Sequence, residues 1–172
     1  MSRLTRFISL AVLAAFLVGL ILFQALGRTE APVQPIEYNH WQHVTKAEGP
    51  KLKCDFCHAN ADKSPHATIP NVSTCMACHQ VMMTQSPEVQ KLAAIAERGE
   101  QPDWVRIYYF EKSANVYFNH KPHIRAKIDC TECHGQIGEM QRVRREVEPT
   151  MGWCMDCHQK TGTSNDCYIC HR

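Results

Sequence analysis

Five copies of one short motif constrain this chain more than any other feature. The pattern Cys-x-x-Cys-His occurs at residues 54–58, 75–79, 130–134, 154–158 and 167–171. All 10 cysteines of the 172 residues fall in these motifs, so none is left over. Cysteines this close in sequence make a poor fold-spanning disulfide framework, and the adjacent histidine indicates metal or cofactor chemistry.

The spacing is typical of covalent haem attachment, because two such thiols can each form a thioether to one porphyrin while the adjacent imidazole reaches the iron. Five haem c groups are therefore predicted, attached through Cys54, Cys57, Cys75, Cys78, Cys130, Cys133, Cys154, Cys157, Cys167 and Cys170. Their predicted proximal iron ligands are His58, His79, His134, His158 and His171. Structural zinc is the competing interpretation, but five pairs cannot be divided evenly into four-cysteine sites. A thioredoxin-like redox pair would need a βαβ context, which this chain lacks.

The five remaining histidines equal the predicted haems in number: His40, His43, His66, His120 and His123. Five spare imidazoles for five vacant axial positions predict that each iron is bis-His and six-coordinate. The main alternative is a methionine sulfur at one iron, for which Met82, Met83, Met140 and Met151 are available.

Two similar segments divide the chain into repeats. Tyr38–His43 and Phe118–His123 share the pattern aromatic-Asn-His-x-x-His, and two haem motifs follow the first segment and three the second. Histidines three apart on a helix point to nearly the same side, so each pair could serve two neighbouring irons. The predicted pentahaem domain, 38–172, thus comprises a first two-haem unit (38–85), a connection (86–117), and a second two-haem unit with the fifth haem (118–172).

Little regular structure is expected in this domain. A helix is predicted from Ser86 to Gly99, and residues 104–110 and 114–118 predict one small hairpin. So short a polypeptide per haem cannot build an independent hydrophobic core, so the macrocycles must supply much of the buried surface. The predicted fold class is mostly irregular with short α-helices.

The N-terminal region predicts a membrane anchor. Residues 8–26 carry no charge and are long enough to cross a bilayer, so 1–27 is predicted as one transmembrane helix and 28–37 as a stiff linker with Pro32 and Pro35. Arg3 and Arg6 predict a cytoplasmic N-terminus and a haem domain on the periplasmic side of a bacterial membrane. A cleaved signal peptide is the alternative.

The charge balance argues against nucleic-acid binding, and the five complete CxxCH motifs argue against catalysis at the iron. With 19 basic and 17 acidic residues, the chain lacks a nucleic-acid footprint. A six-coordinate iron offers substrate no open position, which favours electron transfer, and no catalytic residue is predicted. The alternatives are a multihaem reductase with an open haem site and a stand-alone quinol dehydrogenase cytochrome.

Arg142, Arg144 and Arg145 could bind propionates or a partner, or form a solvated charged segment.

These residues also resemble known families. The His-x-x-His segments with their motifs resemble the class III multihaem cytochromes. The Trp104–Arg106 and Val116–His120 segments, with Cys133–Gly135 and Met151–Cys154, resemble the pentahaem cytochrome subunits of bacterial alternative complex III. A related quinone reductase complex of sulfate-reducing bacteria carries a similar subunit.

The resemblance implies partners and ligand pairs. The partners would be membrane and iron-sulfur subunits of a quinol-oxidising respiratory or photosynthetic complex, with a monohaem cytochrome, copper protein or oxidase downstream. The implied distal ligands are His40 for the first haem, His43 for the second, His120 for the third and His123 for the fourth. His66 would then serve the fifth haem; the alternative gives His66 to the second haem and His43 to the fifth.

Overall fold

The computed structural model describes residues 3–26 and 30–171. The chain divides into two compact units, Met1–Glu30 and Ala31–Arg172, which are described separately. In the first unit, the apolar run forms one helix, α1 (Arg3–Leu26). Spanning a bilayer takes about 20 consecutive apolar residues. None of the helices described here satisfies the length and hydropathy needed to do so, and the predicted transmembrane anchor is therefore not supported.

The second unit, here called the main body, is built from short helices, as predicted. Over residues 31–171 these are α2 (His40–Val44), α3 (Cys54–Cys57), α4 (Val72–His79), α5 (Pro87–Glu97), α6 (His120–Arg125), α7 (Cys130–His134), α8 (Met151–Lys160) and α9 (Cys167–Cys170). Two 3₁₀ turns, Lys112–Ala114 and Ile137–Glu139, lie between them. The rest of the described main body is irregular.

Side-chain caps explain where most of the site helices begin. The carboxylates of Asp129 and Asp166 accept from backbone N–H groups in α7 and α9, and the Thr150 hydroxyl does the same for α8. Asn39 and Asn119 cap α2 and α6 in the same way. Such a cap satisfies an N–H that the helix leaves without a partner, which matters most in helices of one or two turns.

Helix α5 confirms the prediction for residues 86–99. It starts with Pro87 directly after Ser86 and ends before Gly99, whose φ of +67° is the left-handed conformation that stops a helix. Its Leu92 is buried against Ile36 and Val72. These three residues form the small hydrophobic cluster that joins α4 and α5.

The predicted hairpin is wrong. Among the described residues no β-strand forms, and Val116 instead makes an isolated antiparallel bridge with His171. The adjacent Tyr117 N–H donates to the Cys170 carbonyl at 2.6 Å. The backbone groups that a hairpin would use are thus paired with the C-terminal motif, more than 50 residues away in sequence. A local sequence pattern cannot predict so distant a partner.

The core of the main body is small. In the described part of the chain the buried hydrophobic residues are Ile36, Val72, Leu92 and Met140. A unit of this length that folds on polypeptide packing alone would bury many more apolar side chains. The sparse core agrees with the prediction that bound macrocycles complete the interior.

Candidate functional site

Each haem motif lies on one short helix. The first cysteine is the first residue of α3, α7 and α9, and it lies four residues into α4 and α8. The two cysteines and the histidine of a motif therefore occupy little more than one helical turn. All ten thiols are free and at least partly exposed, as attachment of a cofactor requires.

Hydrogen bonds orient most of the predicted histidine ligands. Seven of the ten hold Nδ1 at 2.6–3.2 Å from a backbone carbonyl oxygen. The pairs are His43 with Asn39, His58 with Thr68, His79 with Met82, His120 with Pro65, His123 with Asn119, His158 with Ser164, and His171 with Asn115. Because a carbonyl oxygen can only accept, Nδ1 carries the proton in these rings and Nε2 keeps the lone pair that a metal needs.

Three pairs of histidine rings lie at a common separation. The ring centroids lie 6.0 Å apart for His43 and His79, 6.3 Å for His120 and His134, and 6.2 Å for His123 and His158. Two metal–nitrogen bonds of about 2 Å, with about 1 Å from each nitrogen to its ring centre, span about 6 Å. The structure thus brings these predicted distal and proximal histidines to the spacing of a bis-imidazole metal site.

The donor set fits haem better than a bare metal ion. Within residues 3–26 and 30–171, no group of three or more His, Cys, Asp or Glu side chains is arranged to hold a metal ion. The recurring unit is instead two imidazoles, with two thiols next to one of them. That unit matches haem c, in which the macrocycle supplies the other four ligands and the thiols form the covalent links.

The two remaining pairs are less complete. Burial, and then the neighbouring His58 and His43, lower the pKa of His40 to about 4. Its Nδ1 is buried with no hydrogen-bond partner. His66 is exposed and its backbone is tied to the Ser64 hydroxyl. The pairing of His66 with His171 stays a prediction.

The aromatic residue of each repeated segment packs between its two histidines. Tyr38 stands edge-on to His40 at 4.7 Å and stacks on His43 at 4.6 Å, with interplanar angles of 87° and 27°. Phe118 makes the equivalent contacts with His120 and His123 at 4.8 Å, with angles of 87° and 30°. The sequence repeat is therefore also a structural repeat.

Thiols of different motifs lie next to one another. Burial raises the pKa of Cys57, with Cys75 as the next cause, and burial and the hydrogen-bonded Cys54 thiol raise the pKa of Cys130 to about 11. Burial and then Cys157 raise the pKa of Cys133, and burial and then Cys170 raise the pKa of Cys154. These neighbours link the first motif to the second and the third, the third to the fourth, and the fourth to the fifth.

The third motif has further neighbours that the sequence analysis did not single out. The Tyr108 hydroxyl donates to the His134 carbonyl oxygen at 3.1 Å, and its ring stands edge-on to the imidazole at 4.6 Å. The Glu146 N–H donates to the Tyr108 hydroxyl at 3.1 Å. Burial, and then His120 and His58, lower the pKa of His134 to about 4. No local pattern marks Tyr108, since its partners lie 26 and 38 residues away.

The predicted arginine cluster is paired with carboxylates of the chain itself. Arg142 pairs with Glu37, Arg144 with Glu146 at 2.9 Å, and Arg145 with Glu148 at 2.9 Å. Of the candidate methionine ligands, Met82, Met83 and Met151 are exposed, and Met140 is buried, with its carbonyl accepting from the Trp41 N–H.

Two comparisons with known proteins agree with this geometry. Residues 116–172 match the family described as cytochrome c7 and related cytochrome c. The chain is also 24% identical over 193 residues to the menaquinone reductase multiheme cytochrome c subunit of Nitratidesulfovibrio vulgaris, an alignment that covers 92% of this chain and 90% of that protein.

Motifs, geometry and comparisons point in the same direction. Residues 116–172 are similar to cytochrome c7-type domains, and the five CxxCH helices with their paired imidazoles fit covalently bound haem c. Across nearly its whole length the chain is similar to the multiheme cytochrome c subunit of a menaquinone reductase.

Proposed function

We propose that this chain binds five bis-His haem c groups and passes electrons through them as a subunit of a quinol-oxidising membrane complex. The observation that carries the proposal is the pairing of histidine rings at about 6 Å beside the CxxCH helices. Haem iron supplies a one-electron couple when it is bound. An iron with two imidazole ligands keeps its coordination in both redox states, so the chain needs little reorganisation.

The polypeptide attaches and spaces the groups. His40 and His43 lie on one turn of α2, and His120 and His123 on one turn of α6, so each helix serves two neighbouring sites. The first and third motifs are adjacent through Cys54 and Cys130. The proposed electron path therefore runs second, first, third, fourth and fifth, with the second and fifth sites at its ends.

The proposed setting follows from the relative and from haem c chemistry. The relative's name places it in menaquinone reductase, and the resemblance to alternative complex III indicates a quinol-oxidising assembly of the same general kind. We propose membrane and iron-sulfur subunits as electron donors and a monohaem cytochrome, copper protein or oxidase as acceptor. The haem domain is proposed to lie on the extracytoplasmic side of a bacterial membrane.

Mass spectrometry tests the haem count. Denatured protein from a host that matures c-type cytochromes should keep about 3 kDa of added mass, since each haem adds about 0.6 kDa. Four or fewer covalent haems would contradict the proposal. The reduced protein should not bind carbon monoxide, because bis-His irons have no open position; tight binding at one haem would instead favour the reductase alternative.

Reconstitution tests the place in a complex. The tagged holoprotein should co-purify from membranes with larger subunits, and added quinol should reduce its haems only in that assembly. Reduction of the purified chain by quinol alone would support the stand-alone quinol dehydrogenase. It would contradict the proposal that other subunits oxidise quinol and pass the electrons to this chain.

A further inference from the structure

The three ring pairs differ in how their planes are turned. The planes of His120 and His134 are nearly parallel, at 4°. Those of His123 and His158 are 33° apart, and those of His43 and His79 are 65° apart. The third motif is therefore the one among these three whose imidazoles are aligned.

Contacts from outside the motif hold both rings of the aligned pair. On the distal side, His120 donates from Nδ1 to the Pro65 carbonyl at 2.7 Å, and its backbone N–H donates to the same oxygen at 3.2 Å. On the proximal side, the Tyr108 ring meets the His134 imidazole edge-on, with an angle of 79° between the planes. Rotation of His134 about its side-chain bonds would bring it into the Tyr108 ring.

Tyr108 is itself anchored by a polar cluster. Its hydroxyl bridges the His134 carbonyl and the Glu146 N–H, each at 3.1 Å. The Arg145 guanidinium lies 5.7 Å from the Tyr108 ring centre and donates to the Ile107 carbonyl at 2.9 Å. The Arg145 side chain is only 17% exposed, so this cation is packed against the ring and not extended into solvent.

We propose that Tyr108 is a positioning residue for the third haem, which keeps the His134 imidazole parallel to that of His120. The inference rests on the proposed haem binding at Cys130 and Cys133. When the two imidazole planes are parallel, both ligands raise the energy of the same iron dπ orbital. The dπ levels are then widely split, and the unpaired electron of ferric iron occupies the raised orbital. The third haem therefore has a rhombic low-spin signal and a lower reduction potential than it would have with crossed ligand planes.

Electron paramagnetic resonance of the oxidised holoprotein tests this role. The wild type should show one strongly rhombic low-spin component. Tyr108→Phe, which removes the hydroxyl bridge, and Tyr108→Leu, which also removes the ring, should move that component to a larger g-max, with the larger shift in Tyr108→Leu. A redox titration should show one midpoint potential shifted upward and the other four unchanged.

Tyr109 provides the matched control. It follows directly in sequence and also contacts Arg145, at 4.7 Å, but its side chain is half exposed. Tyr109→Phe should leave the spectrum and all midpoints unchanged. Unaltered spectra in both Tyr108 variants, an equal shift in Tyr109→Phe, or a wild type without a rhombic component would each overturn the proposal.

Peptide mass mapping distinguishes a wrong role for Tyr108 from a wrong proposed function. If the peptide that contains Cys130 and Cys133 carries haem and the spectra do not change, the role of Tyr108 is wrong and haem binding stands. If that wild-type peptide carries no haem, the proposed function itself fails. If Tyr108→Leu does not fold, Tyr108→Phe and the wild-type spectrum still decide the question.

Discussion

At the scale of single residues, the histidine ring distances can be compared with the ligand pairs that the resemblance implies. Of the implied ligand pairs, those of His43, His120 and His123 are the ones whose rings meet their partners at about 6 Å. The alternative in which His43 serves the fifth haem would require it to leave His79. The pairing of His66 with His171 stays a prediction.

Replacing His66 by methionine tests this assignment. His66→Met should raise the midpoint potential of one haem, because a thioether favours ferrous iron relative to imidazole. The shifted couple should disappear when the fifth haem is removed by Cys167→Ala with Cys170→Ala. Persistence of the shift in that background, or no shift at all, would show that His66 is not the ligand of the fifth haem.

Gly135, directly after His134, is required for a steric reason. Its φ is +69°, and an added Cβ would lie 2.9 Å from the Glu146 Cβ and overlap the Glu146 carboxylate. That carboxylate accepts from the Gln136 N–H at 3.0 Å and pairs with Arg144. Gly135→Ala should lower the free energy of unfolding by about 1–3 kcal/mol.

Gly152 is the control for this substitution. It lies in α8 with nothing within 4 Å of an added Cβ, so Gly152→Ala should be neutral or stabilise the fold by up to about 1 kcal/mol. Denaturant unfolding followed by circular dichroism measures both variants. Equal stability of the two would show that strain at residue 135 is absent.

At the scale of elements, α5 shows that local sequence signals between Ser86 and Gly99 predict a helix. The shorter helices depend more on their caps, and their boundaries follow Asn39, Asn119, Asp129 and Asp166. The failed hairpin shows the limit of such patterns. Residues 116–117 had strand-like composition, but their partner was the C-terminal motif.

Leu92 should contribute most of the stability that α5 adds. Its side chain packs with Ile36 and Val72 and is 6% exposed, so Leu92→Ala should cost about 2–3 kcal/mol of unfolding free energy through lost burial and a residual cavity. Val81→Ala, at a residue that is 77% exposed, should change stability by less than about 0.5 kcal/mol. Chemical denaturation compares them, and similar losses in both would rule out the cluster as a stabilising core.

At the scale of the whole molecule, the proposed haems would complete the interior. The described main body buries few hydrophobic side chains, too few for a unit of this length to fold on polypeptide packing alone. With haem bound as proposed, the macrocycles supply the missing apolar surface, so haem binding and folding are coupled.

The chain made without haem should consequently be unfolded. Expression in a host that lacks cytochrome c maturation should give a polypeptide with poor amide dispersion in nuclear magnetic resonance spectra, rapid proteolysis and no cooperative unfolding transition. The matured protein from a competent host is the control. A cooperative transition in the haem-free chain would show that the polypeptide has a sufficient core of its own.

The sequence by itself determined the chemistry of this protein. Five CxxCH motifs, the two His-x-x-His segments and the helix after Ser86 could all be read locally, because thioether spacing, helical periodicity and capping act over a few residues. Only the tertiary structure decided which imidazoles meet, that Pro65 holds His120, and that Tyr108, with Arg145 packed on its ring, stands against the third motif. Those contacts join residues 26 to 55 positions apart, and packing over such separations leaves no periodic trace along the chain.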